Sequence, residues 1–398
     1  MHHMYKQFFL FAFLGAFSLT TWAQVDLINK VADNGSDSVA GFEFELLIDL
    51  EATPVKNQGR SGTCWSYATT GFLESELLRM GKPAIDLAEM FTVRMVYRDK
   101  AEKYVRLHGH LNFAQGGALP DVLYVLRHYG ALPQEVYPGL NYGTEINNHG
   151  ELEAVLKAYL DQVIKNENGH LSSSWIQGLE GILDAYLGPI PTSFEWEGKS
   201  YTPRNFAEDY LGLKADDYLQ LSSFLHHPLY EQFIIQVPDN WAWGLCHNVA
   251  LDEMMAAIDH SLAEGYTVSW ATDVSEAGFS LKNGLALVVP ENWSEWSKEE
   301  REAFFNGSGT EPEISPAKRQ AAYDNYRTTD DHGMQITGKA KDQRGRVFYL
   351  VKNSWGEREN EHRPGYLYVS EAFVRYKTIG ILLHREAVPK SLQKKLKL

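Results

Sequence analysis

The chain has 398 residues, of which 44% are hydrophobic and 13% aromatic, enough for a large core in one big domain or two lobes. Its diffuse formal net charge of −15 argues against nucleic acid or an anionic membrane surface as the main partner. Only two cysteines occur, Cys64 and Cys246, which excludes a framework of several disulfides.

The N-terminus has the pattern of a secretory signal peptide. Residues 8–19 are nearly all apolar, and Thr21-Trp22-Ala23 places small residues at positions −3 and −1 of a cut before Gln24. The apolar run is too short for a permanent membrane anchor. We therefore expect residues 1–23 to be a signal peptide of an exported protein, periplasmic or secreted, and residues 24–43 to form a polar N-terminal arm.

The next part of the chain has helical spacing. Apolar side chains recur at i, i+4 spacing from Cys64 to about Arg79, which predicts a helix there. Helix signals continue over residues 83–139, with Gly130 as a predicted C-cap. We therefore predict a helical lobe over residues 44–140.

Residues 141–245 contain none of the motifs described below. Residues 152–164 and 175–186 are amphipathic, and an aromatic stretch punctuated by proline follows them. We interpret residues 141–245 as a mostly helical insertion, whose aromatic side chains pack in a core and do not form a ligand cage.

Strand patterns dominate the C-terminal part, which we predict to be a β-rich lobe over residues 246–385 followed by a tail over 386–398. Residues 334–338 and 346–352, joined by a charged turn, predict a hairpin with His332 near one end and Asn353 at the other. The remaining predictions are a helix over 249–264, strands over 266–270, 285–289 and 365–369, and a charged helical surface excursion over 291–328.

Three local motifs carry the chemistry. Residues 57–65 read NQGRSGTCW, residues 331–333 read DHG, and residues 353–356 read NSWG. A cysteine at a helix start, a distant histidine and an asparagine just after it are the parts of a thiol nucleophile with an oriented general base. This order of motifs predicts acyl transfer from an amide through a thioester.

Each catalytic candidate has a distinct predicted role. Cys64 is the nucleophile, and the helix N-terminus and a nearby imidazolium are expected to favour its thiolate. His332 is the general base and acid, and Asn353 fixes its tautomer and ring plane. The Gln58 side chain and the Cys64 N–H are expected to form the oxyanion hole.

Other readings of these residues are weaker. A lone cysteine is more often a buried core residue, but the sequence around Cys64 argues against that role here. Of the 14 histidines, His108 and His110 have metal-ligand spacing but no acidic or cysteine partner nearby. We therefore expect no metal and no cofactor.

The motifs at residues 53–65 and 353–356 resemble those of the papain-like cysteine peptidases. Gly116-Gly117-Ala118, the long stretch after Tyr137-Pro138 and residues 297–301 resemble the bleomycin hydrolase and aminopeptidase C branch of that superfamily. The resemblance implies an α+β fold of papain-like type, in which a helical lobe and a β-rich lobe meet at a cleft.

The resemblance also implies peptide substrates and an aminopeptidase activity. It implies substrate contacts at Gly116, Gly117 and Trp355, and Trp355 is also expected to cover the His–Asn bond. It further implies a homo-oligomer, a hexamer in the resembled branch. Two alternatives stay open: an endopeptidase with an open cleft, and a non-catalytic peptide-binding protein.

The end of the chain departs from that branch, in which the chain's own C-terminal carboxylate lies in the cleft and meets the substrate's amine. Here the tail is longer, and residues 390–398 contain four lysines. Lysines near the terminal carboxylate would repel the positively charged amine of a substrate. The sequence therefore leaves open whether the tail limits the enzyme to free amino termini.

Overall fold

The computed structural model describes residues 23–32, 34–35, 41–357 and 362–398, so the predicted signal peptide lies almost wholly outside the described residues. Within the described part, no helix has the length and apolar character needed to span a membrane. The helices are α1 (Ala23–Ala32), α2 (Cys64–Arg79), α3 (Glu89–Arg106), α4 (Pro120–His128), α5 (Gly150–Ile164), α6 (Ser174–Leu187), α7 (Pro203–Asn205), α8 (Leu251–Ala263), α9 (Lys298–Ala303), α10 (Pro316–Asp324), α11 (Glu371–Lys377) and α12 (Lys390–Leu396).

The strands confirm the predicted α+β class. They are β1 (Phe44–Asp49), β2 (Phe194–Trp196), β3 (Lys199–Tyr201), β4 (Tyr218–Ser222), β5 (Gln232–Ile234), β6 (Leu245–Asn248), β7 (Val268–Thr272), β8 (Phe279–Ser280), β9 (Leu285–Ala286), β10 (His332–Asp342), β11 (Val347–Lys352), β12 (Tyr366–Ser370) and β13 (Thr378–His384). Eleven of them form one sheet in the order β5-β6-β4-β13-β7-β10-β11-β12-β9-β8, with β1 paired to β10.

The helical lobe is built around α2, the helix predicted from the i, i+4 spacing. Its apolar residues share one core with α3, α4, α5 and α6. Helix α4 ends as predicted, because Gly130 has φ +91° and its N–H donates to the Val125 carbonyl at 3.0 Å. The first half of the predicted insertion therefore packs as part of the helical lobe.

The second half of the predicted insertion combines short helical segments with strands. Strand β4 pairs with β13, with Leu221 opposite Ile381, and β6 runs parallel to β4. Residues 218–248 thus extend the main sheet, which corrects the boundary expected at residue 245. The partner of β4 is β13, which lies near the C-terminus. Short strands that pair with distant segments show little periodicity in their local sequence, so the sequence did not indicate this pairing.

The predicted hairpin is formed by β10 and β11, with Gln335 opposite Lys352. His332 is the first residue of β10, and Asn353 follows the last residue of β11, so both lie at the hairpin end far from the turn. The predicted surface excursion over 291–328 is partly wrong, because Phe304, Phe305 and Arg319 in it are buried.

Helix α2 crosses close to β10. A Cβ atom on Gly333 would lie 3.2 Å from the Trp65 Cα and 3.3 Å from the Cys64 carbonyl oxygen. Any larger residue at position 333 would push the strand away from the helix start. Glycine there allows the two lobes to bring Cys64 and His332 to one cavity.

Candidate active site

A cavity of about 810 Å³ lies between the start of α2 and the sheet. Cys64 and His332 both line it, as do Gly116 and Gly117 from the turn before α4. These are four of the seven residues that the sequence analysis assigned to the site. The other three, Gln58, Asn353 and Trp355, lie behind the cavity wall.

His332 is held by Asn353. Its Nε2 lies 2.8 Å from the Asn353 Oδ1, and the same oxygen accepts the Ser354 N–H at 2.8 Å. Because that backbone contact fixes Oδ1 as an acceptor, Nε2 carries the hydrogen and Nδ1 presents its lone pair. Nδ1 is buried and has no hydrogen-bond partner among the described residues. The imidazole is therefore oriented to accept a proton in the cavity.

Trp355 covers this pair. Its ring centroid lies 4.3 Å from that of His332 with the planes at 32°, and its side chain is buried. This matches the covering position that the resemblance implied. Trp355 does not line the cavity, so the structure gives no direct substrate contact for it.

Burial dominates the electrostatics of Cys64 and His332. Burial raises the pKa of the Cys64 thiol to about 12, the Gly333 backbone lowers it, and the Asp330 and Asp239 carboxylates raise it further. Burial also lowers the pKa of His332 to about 4, while its bond to Asn353 raises it. Burial therefore acts against both the thiolate of Cys64 and the imidazolium of His332. The resting ion pair expected from the helix N-terminus stays a prediction.

Gln58 does not reach the cavity. It is fully buried, its amide donates to the Ser61 carbonyl at 2.7 Å, and its Oε1 accepts the Ser354 hydroxyl at 2.7 Å. In this arrangement Gln58 links the loop before Cys64 to the loop after Asn353. Its Nε2 has a second N–H, so the predicted oxyanion contact stays a prediction.

Gln115 is a site residue that the sequence analysis missed. Its Oε1 accepts the Gly62 N–H at 2.7 Å, its Nε2 donates to Glu153 at 2.7 Å, and its carbonyl accepts the Trp65 indole N–H at 3.2 Å. It therefore ties the loop before Cys64 to α5. The only local signal was its place directly before Gly116-Gly117.

The C-terminal tail packs away from the cavity, whereas helix α1 at the other end of the described chain lies beside it. Leu392 and Leu396 of α12 are buried in the core that includes α8, and Lys395 donates to Glu253 at 2.5 Å. No residue of the tail lines the cavity, whereas Asp26 and Leu27 of α1 do. The structure thus contradicts the tail as the group that meets the substrate, because two buried leucines hold it on α8.

Cys246 is a core residue. It is completely buried in β6, and its thiol donates to the His247 carbonyl at 3.6 Å. It does not line the cavity. Of the two cysteines, only Cys64 is placed for chemistry in this cavity.

Comparisons with known proteins identify the family of this chain and several of its relatives. The sequence matches the family described as the Peptidase C1-like family over residues 192–398. It is 22% identical to aminopeptidase C of Streptococcus thermophilus, with 86% of this chain and 83% of that protein covered. It is 23% identical to bleomycin hydrolase of Rattus norvegicus, with 92% and 88% covered.

A solved structure supports the fold. A crystal structure of PepW from Lactobacillus rhamnosis matches with a TM-score of 0.67 and 18% identity, covering 94% of this chain and 86% of that chain. At this identity the match establishes the shared architecture. The two-lobe, papain-like α+β fold expected from the sequence is therefore confirmed.

Proposed function

The chain belongs to the Peptidase C1-like family, and we propose that it is a cysteine peptidase that removes residues from the free amino termini of peptides, with Cys64 as nucleophile. One observation carries the peptidase chemistry: the His332 imidazole is fixed by Asn353 at 2.8 Å with its Nδ1 unpartnered, and it lines the same cavity as Cys64.

The reaction follows from these positions. Nδ1 of His332 takes the thiol proton, and Sγ of Cys64 attacks the substrate carbonyl. The Cys64 N–H, first in its helix and without an intrahelical acceptor, is available to the oxyanion. His332 then protonates the leaving amine, and water hydrolyses the thioester that remains on Cys64.

Two observations favour the aminopeptidase over the endopeptidase. Relatives that align over most of this chain are named aminopeptidase C and bleomycin hydrolase. The cavity is also strongly acidic, which suits a substrate that ends in a free ammonium group. Its charged residues, apart from His332, are the carboxylates of Asp26, Glu151, Glu153, Asp239, Asp330 and Asp331 and the cations of Lys30 and Arg60.

The test uses paired fluorogenic amides with the same residue before the leaving group, one with a free amino terminus and one acetylated. We expect the free form to be cleaved with a kcat/KM at least about 30-fold higher, the size of effect that a buried charge pair supplies. Equal rates for the two substrates would support the open-cleft endopeptidase instead.

We propose two further properties that rest on the sequence and the resemblance. The first is export by the signal pattern, for which N-terminal sequencing of protein from the native host should return Gln24 or a neighbour, and an intact Met1 would contradict it. The second is a homo-oligomer, a hexamer as in the resembled branch, for which light scattering should give a multiple of the mass of the mature chain.

A further inference from the structure

The proposed aminopeptidase function requires a group that meets the substrate's free amine, and the C-terminal tail lies elsewhere. The cavity offers two candidates directly beside the catalytic residues. Asp239 lies on the loop after β5, and Asp330 lies two residues before His332. Both line the cavity that contains Cys64, and His332 contributes a buried, unpartnered Nδ1 to the same space.

Asp239 rests on the glycine turn. A Cβ atom built on Gly116 would lie 2.0 Å from the Asp239 Oδ2 and 2.7 Å from its Oδ1. Such distances are impossible for a real side chain, so the carboxylate occupies the space that only glycine leaves free. Glycine at position 116 is therefore needed for the Asp239 carboxylate to lie where it does.

Hydrogen bonds fix the Asp239 loop against that turn. Asn112 donates to the Asp239 Oδ1 at 2.8 Å, and the Trp241 indole N–H donates to the Asp121 Oδ2 at 2.7 Å. Asp121 in turn accepts the Ala118 N–H at 2.9 Å. Among the described residues, only Oδ1 of Asp239 has a hydrogen-bond donor, which leaves Oδ2 available to a ligand.

Asp330 is held from both sides by its neighbours. The Thr329 N–H donates to Asp273 at 2.7 Å, and the Asp331 carboxylate accepts the Val274 N–H at 2.8 Å. The Asp330 carboxylate itself has no hydrogen bond to any described residue. Burial raises its pKa well above the usual range, and the Asp239 carboxylate raises it further. A cation bound between the two carboxylates would reverse that repulsion.

Among the described residues, no lysine or arginine forms an ion pair with Asp239 or Asp330. The ammonium group of Lys100 lies under the turn, where it donates to the carbonyls of Ala114 and Gly116. A metal ion is also a poor fit. In the described part of the chain, the only three-carboxylate group with metal-binding geometry is Glu74, Asp86 and Glu89, and the Lys56 ammonium lies among them at 2.9, 2.5 and 2.6 Å.

We propose that Asp239, together with Asp330 in the lining of the same cavity, binds the α-ammonium group of the substrate and so selects peptides with a free amino terminus. An ammonium group has three N–H donors and suits two carboxylates that offer free oxygens. The specificity element is thus carried by a side chain of the β5–β6 loop and not by a chain terminus.

The experiment measures kcat/KM of Asp239→Asn on three amides that differ only at the amino end, which is free, acetylated or replaced by hydroxyl. We expect a loss on the order of 30-fold for the free-amine substrate, as for removal of one partner of a buried charge pair. The acetylated and hydroxyl substrates should change little, because they carry no positive charge.

Asp216→Asn is the matched control, since Asp216 pairs with Arg127 on the surface. Thermal unfolding of each variant reports whether the fold is kept. A retained preference for the free amine in Asp239→Asn, or its loss in Asp26→Asn instead, would overturn the inference while leaving the aminopeptidase function standing. Absence of the preference in the wild-type enzyme would remove the proposed function itself.

Discussion

The two sides of the cavity differ in how they are built. The catalytic corner, formed by Cys64, His332 and Asn353, is buried, and the hydrogen bond from His332 to Asn353 fixes the imidazole. The acidic wall, formed by Gly116, Asp239 and Asp330, presents carboxylates with free oxygens. The corner supplies bond-breaking chemistry that any peptide bond could use. The wall distinguishes one peptide from another, so the two sides can be altered separately.

The largest effect should come from the corner. Cys64→Ala removes the nucleophile and should lower kcat by on the order of 10⁶-fold, as for other enzymes that lose an acyl-forming residue. Cys246→Ala makes the same substitution in the core, away from the cavity, and should keep kcat within a few-fold of the wild-type value. Loss of activity in Cys246→Ala with a normal fold, or full activity in Cys64→Ala, would show that the corner is misassigned.

The corner and the wall also differ in how far the sequence predicted them. The three motifs around Cys64, His332 and Asn353 are local, and the hairpin pattern indicated that the last two would meet. Asp239 carries no local motif. Its importance depends on a loop that reaches the turn of Gly116 across the chain, and on strand pairings such as Leu221 with Ile381. Such long-range pairings are set by tertiary packing, which sequence periodicity does not report.

The charge states were the other part that sequence could not give. The helix N-terminus at Cys64 stabilises a thiolate there, but only by about 2 kcal/mol at most. The degree of burial and the carboxylates nearby act in the opposite direction, and both depend on the assembled fold. The hydrogen-bond partners of Gln58 also depend on the assembled fold, so its place in the motif did not reveal them.

Removal of residues 390–398 tests whether specificity lies in the wall or in the tail. Because the tail packs on α8, the truncated enzyme should keep its preference for a free amine. It should lose about 2–5 kcal/mol of unfolding free energy, since Leu392 and Leu396 are buried. Denaturant unfolding and the paired amides measure the two quantities. A gain of activity on acetylated amides at unchanged stability would return the gating role to the tail.

A smaller effect separates burial from catalysis. Burial lowers the pKa of both His332 and His149 to about 4, and only His332 belongs to the corner. Below pH 6.5 these two histidines are protonated in the unfolded chain but stay neutral in the folded protein. The unfolding free energy is therefore full above that pH and falls as the pH decreases towards 4. Each histidine should contribute about 3 kcal/mol to this loss.

His332→Gln and His149→Gln should each reduce the loss of unfolding free energy between pH 6.5 and 4, as measured by denaturant titration. Only His332→Gln should also abolish peptide hydrolysis. An unchanged pH dependence in both variants would mean that neither imidazole is kept neutral by burial.

The most direct test of the account is to identify the acyl-enzyme. Enzyme quenched with acid during turnover of a free-amine ester should carry one added acyl group, and peptide mapping by mass spectrometry should place it on Cys64. The adduct should be absent from Cys64→Ala. An acyl group on Cys246, or turnover by Cys64→Ala with no thioester, would contradict the assignment of Cys64 as the nucleophile.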